Sequence, residues 1–390
     1  MRSGVGPLID GALCRSLETV YNGRIDSVVD ALPGMGQRYY FRLNGSRRTN
    51  EETIDSIRAK GFEVGVHSSI ADAAYFPVEQ STPAIDGTPV QADRFAAEAV
   101  MLGAHLYAPG VKKCKGLRTG MQASVADKSG TIVGSGVARQ GETTILRYHR
   151  GVAVETLKSR FRIPPLRETS WYNEGLIHPQ SLPSMATCHV LDPKPNETIV
   201  DLTCSPAGKM SYMCHLSHNE ARIIGFDRNE RKIDKAREHL ERLHCHNFQL
   251  IAHDSRYAHL DYAIRADKVL VDPPCTGLGV MPKLSIDTTI ADVENLVSYQ
   301  KQFLRAAASI VKDGGTVVYS VCTITQQECE DMVRFAEDEL GLVEVDAEPR
   351  VATVSSDNGV LSQRFDPEID GIGYFIAKFL KPKGLLTRPT

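Results

Sequence analysis

The chain has 390 residues, 42% of them hydrophobic and 24% charged, with a formal net charge of −3. That composition excludes a disordered or low-complexity polypeptide and predicts two or three domains with a sizeable core. No apolar run approaches the roughly 18 residues of a membrane span, the start Met1-Arg2-Ser3-Gly4 carries no secretory core segment, and nine cysteines show no framework spacing and no C-x-x-C pair, which predicts reduced thiols, no membrane association and a cytoplasmic location.

Residues 1–92 read as an N-terminal α+β segment. Within it 39–43 alternate as a strand, Thr49-Asn50-Glu51-Glu52 is a capping box, Ile54 and Ile57 share a helical face ending at Gly61, and 62–66 resume a strand. Residues 93–164 differ in charge and pattern. They hold twelve Lys and Arg against five Asp and Glu, a local charge of +7 that leaves −10 for the rest. A short helix from Asp93 leads into closely spaced turns, with glycines at 103, 110, 116, 120, 130, 134, 136 and 141. Short strands between such turns predict a small β-barrel. A basic module on an acidic body is the footprint of nucleic-acid binding. Lys112, Lys113, Lys115, Arg118 and Arg139 are the candidate phosphate contacts, against the plainer reading of a solvated basic surface. Pro164-Pro165 closes the module, and 165–184 read as a connecting stretch.

From 185 to 390 the pattern is α/β. Strand-like runs at 197–202, 222–227, 248–254, 266–272, 315–321, 342–346 and 374–380 alternate with helical patterns, clearest at 229–243, 292–311 and 325–339. Seven strands with crossover helices predict a doubly wound, Rossmann-like sheet. Ligands bind beyond the carboxyl ends of strands in such folds, so the strand ends are where chemistry is sought. The first ends in Asp201-Leu202-Thr203-Cys204-Ser205-Pro206-Ala207-Gly208-Lys209, small residues and a Pro–Gly turn that let a ligand approach a helix N-terminus. The second ends in Asp227, placed for a ribose hydroxyl, and the third in Asp254. As helix N-caps each of these is ordinary singly; together they fit an adenosine-containing ligand. Two further runs end in cysteines, Cys275 in Val271-Asp272-Pro273-Pro274-Cys275-Thr276-Gly277 and Cys322 in Tyr319-Ser320-Val321-Cys322-Thr323. A buried structural cysteine is the default for either alone; two at neighbouring strand ends point to covalent thiol chemistry.

These motifs, in this order, resemble those of the Nol/Nop/Sun family of RNA cytosine-C5 methyltransferases, which use S-adenosylmethionine. Asp201 to Lys209 resembles the cofactor loop, Asp272 to Gly277 the proline–cysteine motif and Tyr319 to Thr323 the second cysteine motif. Gln363-Arg364-Phe365-Asp366-Pro367 and Gly373-Tyr374-Phe375-Ile376-Ala377-Lys378-Phe379 resemble the C-terminal signatures. The basic module resembles a PUA domain, most clearly at Gly103-Ala104-His105-Leu106-Tyr107-Ala108-Pro109-Gly110. That pairing implies the subgroup that methylates tRNA at cytosine 72, with the PUA module holding the acceptor stem and 3′ end, and a monomeric enzyme.

The resemblance implies that Cys322 attacks C6 of the base, because C5 becomes nucleophilic only once the 5,6 double bond is broken, and that Cys275 assists product release. Asp272 and Lys209 would face the base. Cys204, Ser205, Pro206, Ala207, Gly208 and Lys209 would line the cofactor, with Asp227 on its ribose, Asp254 at the adenine end, Lys232 beside Asp227, and Asp272. From the residues themselves, Thr325-x-x-Glu328 reads as a capping box that puts Cys322 just ahead of a helix N-terminus, where the dipole favours a thiolate. Thr203, Cys204, Ser205, Ala207, Pro273 and Val321 depart from the family's usual residues, Ala207 by adding a methyl where glycine is common. His244-Cys245-His246 and His215 with His218 invite a metal, but adjacent helix-end residues point apart and no metal is expected. Two rival readings are a methyltransferase acting on base amino groups, which would leave Cys322 without a task, and a non-catalytic tRNA-binding protein on a degenerate cofactor fold.

Overall fold

A computed structural model of the chain describes residues 9–353 and 361–384; the amino-terminal residues read for a secretory segment lie outside them. Among the described residues no helix is long and apolar enough to cross a membrane.

The segment 1–92 does not act as one unit. Helices Gly11–Tyr21 and Ile25–Ala31 place Leu13, Leu17, Val28 and Leu32 against Leu278, Ile286, Val293 and Ile324 of the α/β body, and Arg24 pairs with Asp366 at 2.7 Å. A four-stranded antiparallel sheet follows, in the order Ile177–Pro179, Arg38–Leu43, Ala73–Pro77, Gly65–Val66. The capping box at Thr49 and Glu52 starts helix Asn50–Arg58, and Phe41, Phe76 and Trp171 lie in the core beneath it. Of the strand expected at 62–66 only Gly65–Val66 forms. The stretch 165–184 is more than a tether: its Ile177–Pro179 completes this sheet, and helix Leu182–Leu191 begins inside it.

The basic module is a six-stranded sheet around Val90, Val100, Met101, Leu106, Val125 and Val154. It starts earlier than 93. Strand Thr88–Ala92 runs parallel to Gln122–Ala126 and belongs to it; Pro89 masks that strand in the sequence, because proline cannot donate to a ladder. Asp93 caps helix Arg94–Met101.

The α/β body carries strands β1 (Thr198–Asp201), β2 (Arg222–Asp227), β3 (Phe248–Ala252), β4 (Ala266–Val271), β5 (Val311–Val321), β6 (Val343–Val345) and β7 (Tyr374–Leu380). Their order is 3-2-1-4-5-7-6, with β1 to β5 parallel and β7 antiparallel to both its neighbours. An eighth short strand, Gln363–Phe365, also pairs with β7. Apolar residues on the two faces pack under separate helical layers, Met185, Met210 and Leu240 on one and Leu304, Met332 and Phe335 on the other. Helix Glu230–Arg242 and helix Ile290–Ile310 lie where their patterns put them. The third of these helices, Glu330–Asp338, does not start at Thr325. Cys322 therefore does not sit just ahead of a helix N-terminus, and the dipole expected there is not available to it.

Candidate active site

Register brings the site together. Between β4 and β5 Val271 lies opposite Tyr319, so Asp272, just past the end of β4, comes beside Ser320 near the end of β5, and Ser320 Oγ donates to Asp272 Oδ1 at 3.0 Å. Beyond them, three residues after Asp272 and two after Ser320, the Cys275 and Cys322 sulfurs lie 3.4 Å apart. The loop after Cys275 is pinned to its surroundings: Gly279 N–H donates to the Cys322 carbonyl at 3.1 Å and Gly373 N–H to the Gly279 carbonyl at 2.8 Å. A Cβ on Gly279 would meet the Gly373 carbonyl oxygen at 2.0 Å, so this close approach requires glycine.

On the other side of Asp272, strand β1 delivers the loop that carries Lys209. Thr203 Oγ1 donates to the Asp272 carbonyl at 2.8 Å, and Lys209 Nζ donates to Asp272 Oδ2 at 2.5 Å. Burial alone would lower the Lys209 pKa, but Asp272 and the Tyr374 hydroxyl more than offset it, and the group is held well above an ordinary lysine. The Tyr374 hydroxyl lies 3.4 Å from Asp272 Oδ1 and 3.2 Å from Ser320 Oγ. Ser320 and Tyr374 are thus second partners of Asp272 that the motifs do not single out.

The two thiols differ. Cys322 is lowered below an ordinary thiol, first by the S–H of Cys275 and also by Lys209, against burial. Cys275 is raised well above it, by donating to Cys322, by burial and by the charge of Glu328. The asymmetry comes first from the contact between the sulfurs, which favours the thiolate on Cys322; beside Cys322 the charges of Asp272 and Lys209 oppose each other, while Glu328 adds to the rise at Cys275.

The loop 204–208 rests on β2, with Cys204 and Ala207 buried, Pro206 exposed, and Ser205 Oγ 3.4 Å from the Lys232 carbonyl. Ala207 adopts a left-handed conformation at φ 73°, the geometry for which glycine is the usual residue. No side chain caps the helix Gly208–Leu216 that follows, so its first-turn amides are open to a ligand. Asp227 accepts from Asn229 N–H at 2.9 Å and has Lys232 at 3.8 Å. Asp254 is tied to Arg256, at 2.9 Å to Nε and 2.5 Å to Nη2, which holds its carboxyl below the ordinary range.

The five basic residues lie on the six-stranded module. Lys112 and Lys113 are exposed on the edge strand Val111–Lys113, and the loop bearing Lys115 and Arg118 meets the turn after Arg139, where Gly116 N–H donates to Glu142 at 2.7 Å. Arg139 pairs with Glu155, and Lys112 with Asp93 at 3.9 Å. Sequence reading passes over the exposed Tyr107 and Tyr148 on the same module, the latter with Arg147 and Arg150 over its ring at 5.4 and 5.8 Å. Aromatic residues interleaved with arginines are the available signal. Among the described residues no three His, Cys, Asp or Glu side chains form a metal-binding group.

Residues 188–380 match the family model described as 16S rRNA methyltransferase RsmB/F, and residues 89–159 match the PUA domain. The tRNA (cytosine(72)-C(5))-methyltransferase of Pyrococcus horikoshii is 36% identical over 304 residues, covering 77% of this chain and 78% of its own. The tRNA (cytosine(72)-C(5))-methyltransferase NSUN6 of Homo sapiens is 26% identical over 348 residues, covering 73% and 74%. The crystal structure of NSun6 from Pyrococcus horikoshii with SFG, an S-adenosylmethionine analogue, aligns at a TM-score of 0.88 and 32% identity, over 96% of this chain and 99% of that one. By these matches, both cysteine motifs, the cofactor loop and the strand order, the chain belongs to the Nol/Nop/Sun family of S-adenosylmethionine-dependent RNA cytosine-C5 methyltransferases and carries a PUA domain ahead of the catalytic one.

Proposed function

We propose that the protein methylates C5 of a cytosine in tRNA, position 72 of the acceptor stem, with Cys322 as nucleophile and Cys275 as the group that assists release. The observation that carries this is the pair of sulfurs 3.4 Å apart beside the Lys209–Asp272 pair.

S-adenosylmethionine supplies an electrophilic methyl group. The residues around the uncapped helix suit it: Asp227 is a strand-end acceptor for a ribose hydroxyl with Lys232 beside it, and the loop 204–208 forms the cradle. Asp254, two residues past the end of β3 and tied to Arg256, is the acidic group for the adenine end.

The chain's own residues then handle the base. Cys322, poised as a thiolate by the Cys275 S–H, adds to C6; the electrons of the 5,6 double bond move to C5, which takes the methyl group. Loss of the C5 proton to water, with its bonding electrons re-forming the 5,6 double bond, expels Cys322 as the thiolate, and Cys275 assists this last step. Lys209, kept protonated by Asp272, offers a proton-bearing group to the polar edge of the cytosine, and Asp272 accepts from it. The base reaches these groups only if a terminal pair of the stem opens. The PUA module holds the stem through phosphate contacts from Lys112, Lys113, Lys115, Arg118 and Arg139, and the unpaired 3′ end by stacking on Tyr107 and Tyr148. We take the enzyme to act as a monomer in the cytoplasm.

Methyl transfer from labelled S-adenosylmethionine to an unmodified tRNA pool tests this, using native protein, Cys322→Ala and Cys275→Ala. The reading expects activity in the native protein only, and a protein–RNA adduct on a denaturing gel with Cys275→Ala. Full activity without Cys322 would sink it.

A further inference from the structure

Glu328 is completely buried, and it is not the helix cap its spacing suggests. Oε1 accepts from Thr276 N–H at 2.9 Å and from Gln300 Nε2 at 2.9 Å. Oε2 lies 2.6 Å from Thr276 Oγ1, 3.1 Å from Thr323 Oγ1 and 2.9 Å from Thr325 Oγ1. Thr276 and Thr323 hydroxyls are themselves 2.6 Å apart. Each hydroxyl has one proton, so the two shortest contacts fix the direction: Thr323 donates to Thr276, and Thr276 donates to Glu328.

The sequence positions of these partners give the cluster its meaning. Thr276 follows Cys275 and Thr323 follows Cys322. Gln300, also fully buried, donates both to Glu328 and to the Pro274 carbonyl at 3.0 Å. One carboxylate therefore ties together both sides of Cys275, Thr276 directly and Pro274 through Gln300, and reaches Thr323, next to Cys322, through the Thr276 hydroxyl. Tyr319, on the strand that leads to Cys322, closes the cluster, its hydroxyl 2.8 Å from the Glu328 carbonyl and 3.0 Å from Gln300 Oε1. Burying a carboxylate costs several kcal/mol before its hydrogen bonds are counted, and apolar residues of similar volume often serve stability as well. What apolar residues would not supply is a fixed register between two loops.

We propose that Glu328 is the positioning residue that sets the separation of the two thiols. The proposal rests on the assignment of attack to Cys322 and release to Cys275. Attack is made by Cys322, whose ionisation Cys275 only eases, whereas release needs Cys275 at a set distance from the adduct. Loosening the Glu328 cluster should therefore slow turnover more than RNA binding and leave the covalent adduct waiting, a partial copy of the Cys275→Ala behaviour. Displacements of an ångström are enough to matter at such a centre.

Three variants of the full chain test this: Glu328→Ala, Glu328→Gln, and Thr276→Val, which removes one hydroxyl and keeps the backbone N–H. The expected result for Glu328→Ala and Thr276→Val is a fall in kcat of about tenfold with KM for tRNA within about twofold, and adduct on a denaturing gel. Glu328→Gln, which keeps the shape and the Oε1 acceptor, should recover most of the rate. A simple loss of packing would lower the melting temperature without trapping adduct. Should Glu328→Ala fail to fold, Thr276→Val carries the test alone.

A second readout is independent of the catalytic roles. Hydrogen peroxide converts two adjacent thiols to a disulfide with release of two waters, seen as loss of two hydrogens by mass spectrometry of the Cys275–Cys322 peptides. Closure should slow by at least about threefold in Thr276→Val, since it depends on how often the sulfurs meet. Native closure and native turnover in the variants, with adduct still trapped by Cys275→Ala, would overturn the positioning role alone. Absence of adduct in Cys275→Ala would overturn the assignment of release, and the closure rate would still decide whether Glu328 holds the thiols.

Discussion

The Arg42 guanidinium lies 4.6 Å from the centroid of the Tyr212 ring and joins two parts of the molecule that sequence places 170 residues apart. Arg42 comes from the N-terminal sheet, and Tyr212 from the helix that follows the cofactor loop. Arg42 is completely buried; Nη2 donates to Ser211 Oγ at 2.9 Å and Nη1 to the Gly208 carbonyl at 3.2 Å, while Nε has no partner among the described residues. Burial pushes its pKa down. On the far side of Tyr212, the hydroxyl donates to Asp72 at 2.5 Å.

Removing the charge at 42 should be milder than keeping it badly placed. Arg42→Met leaves Gly208 O with the Ser211 hydroxyl, which already donates to it at 2.9 Å, and should cost under about 2 kcal/mol. Arg42→Lys keeps a buried cation but loses the fork that reaches both acceptors, and should cost more. Urea midpoints at constant slope measure both. A lysine variant as stable as the methionine variant would contradict the electrostatic account.

The lowered Cys322 thiol predicts a pH profile. Only the thiolate is alkylated, so the reaction of Cys322 with iodoacetamide should rise with pH and level off below the pKa of about 8.5 typical of free cysteine. Cys275→Ala removes the S–H that stabilises this thiolate, while burial and the charge of Asp272 remain and both oppose it. The midpoint in that variant should move up. An unmoved midpoint would mean that Lys209, not Cys275, sets the thiolate.

Ala207→Gly should change stability by less than about 1 kcal/mol, despite the left-handed backbone at φ 73°. Relief of the αL cost, about 1–2 kcal/mol, is opposed by loss of a fully buried methyl, about 0.8 kcal/mol, and by the added freedom of the unfolded chain, about 0.4–1 kcal/mol. Thermal melts of the two proteins decide it; a gain well above 1 kcal/mol would show that the methyl packs poorly.

Much of this centre is legible in sequence because strand ends announce themselves. Apolar β-branched runs ending in Asp201, Asp272 and Cys322 mark the carboxyl edge of the sheet, and parallel pairing makes neighbours of residues far apart in the chain. Partnerships within the edge are another matter. Tyr374 meets Asp272 only because β7 inserts antiparallel beside β5, and no spacing reveals that. Glu328 misleads because Thr-x-x-Glu describes a cap whenever a helix follows directly, and here the helix waits until Glu330. Helix Gly11–Tyr21 has a readable signal in Asp10, Leu13, Leu17 and Tyr21, a cap and an i, i+4 stripe. Arg42, one charge in an alternating strand, gives no sign that it is buried.

Lys113→Glu should weaken tRNA binding and leave S-adenosylmethionine binding unchanged. Lys113 is exposed on the edge strand Val111–Lys113 of the PUA sheet, apart from the cofactor loop. A lost phosphate contact also lowers the slope of log affinity against log salt by about one. Filter binding over a salt series, with calorimetry for the cofactor, reads both. Native affinity and slope would remove this edge from the RNA surface.

Asp201 makes stability depend on pH. Burial pushes its carboxyl up to about 7, opposed by the Thr203 N–H at 3.0 Å and reinforced by Asp272, whereas in the unfolded chain it titrates near 3.9. Between those values the folded state binds the extra proton. The stability it contributes is complete below about pH 4 and is lost as pH rises through about 7. The amide introduced by Asp201→Asn cannot ionise and keeps an oxygen for Thr203. The difference in melting temperature, variant minus native, should therefore be more positive at pH 8 than at pH 5. Other titrating groups are common to both proteins and drop out of that difference, so an equal value at the two pH values would mean that Asp201 is ionised throughout.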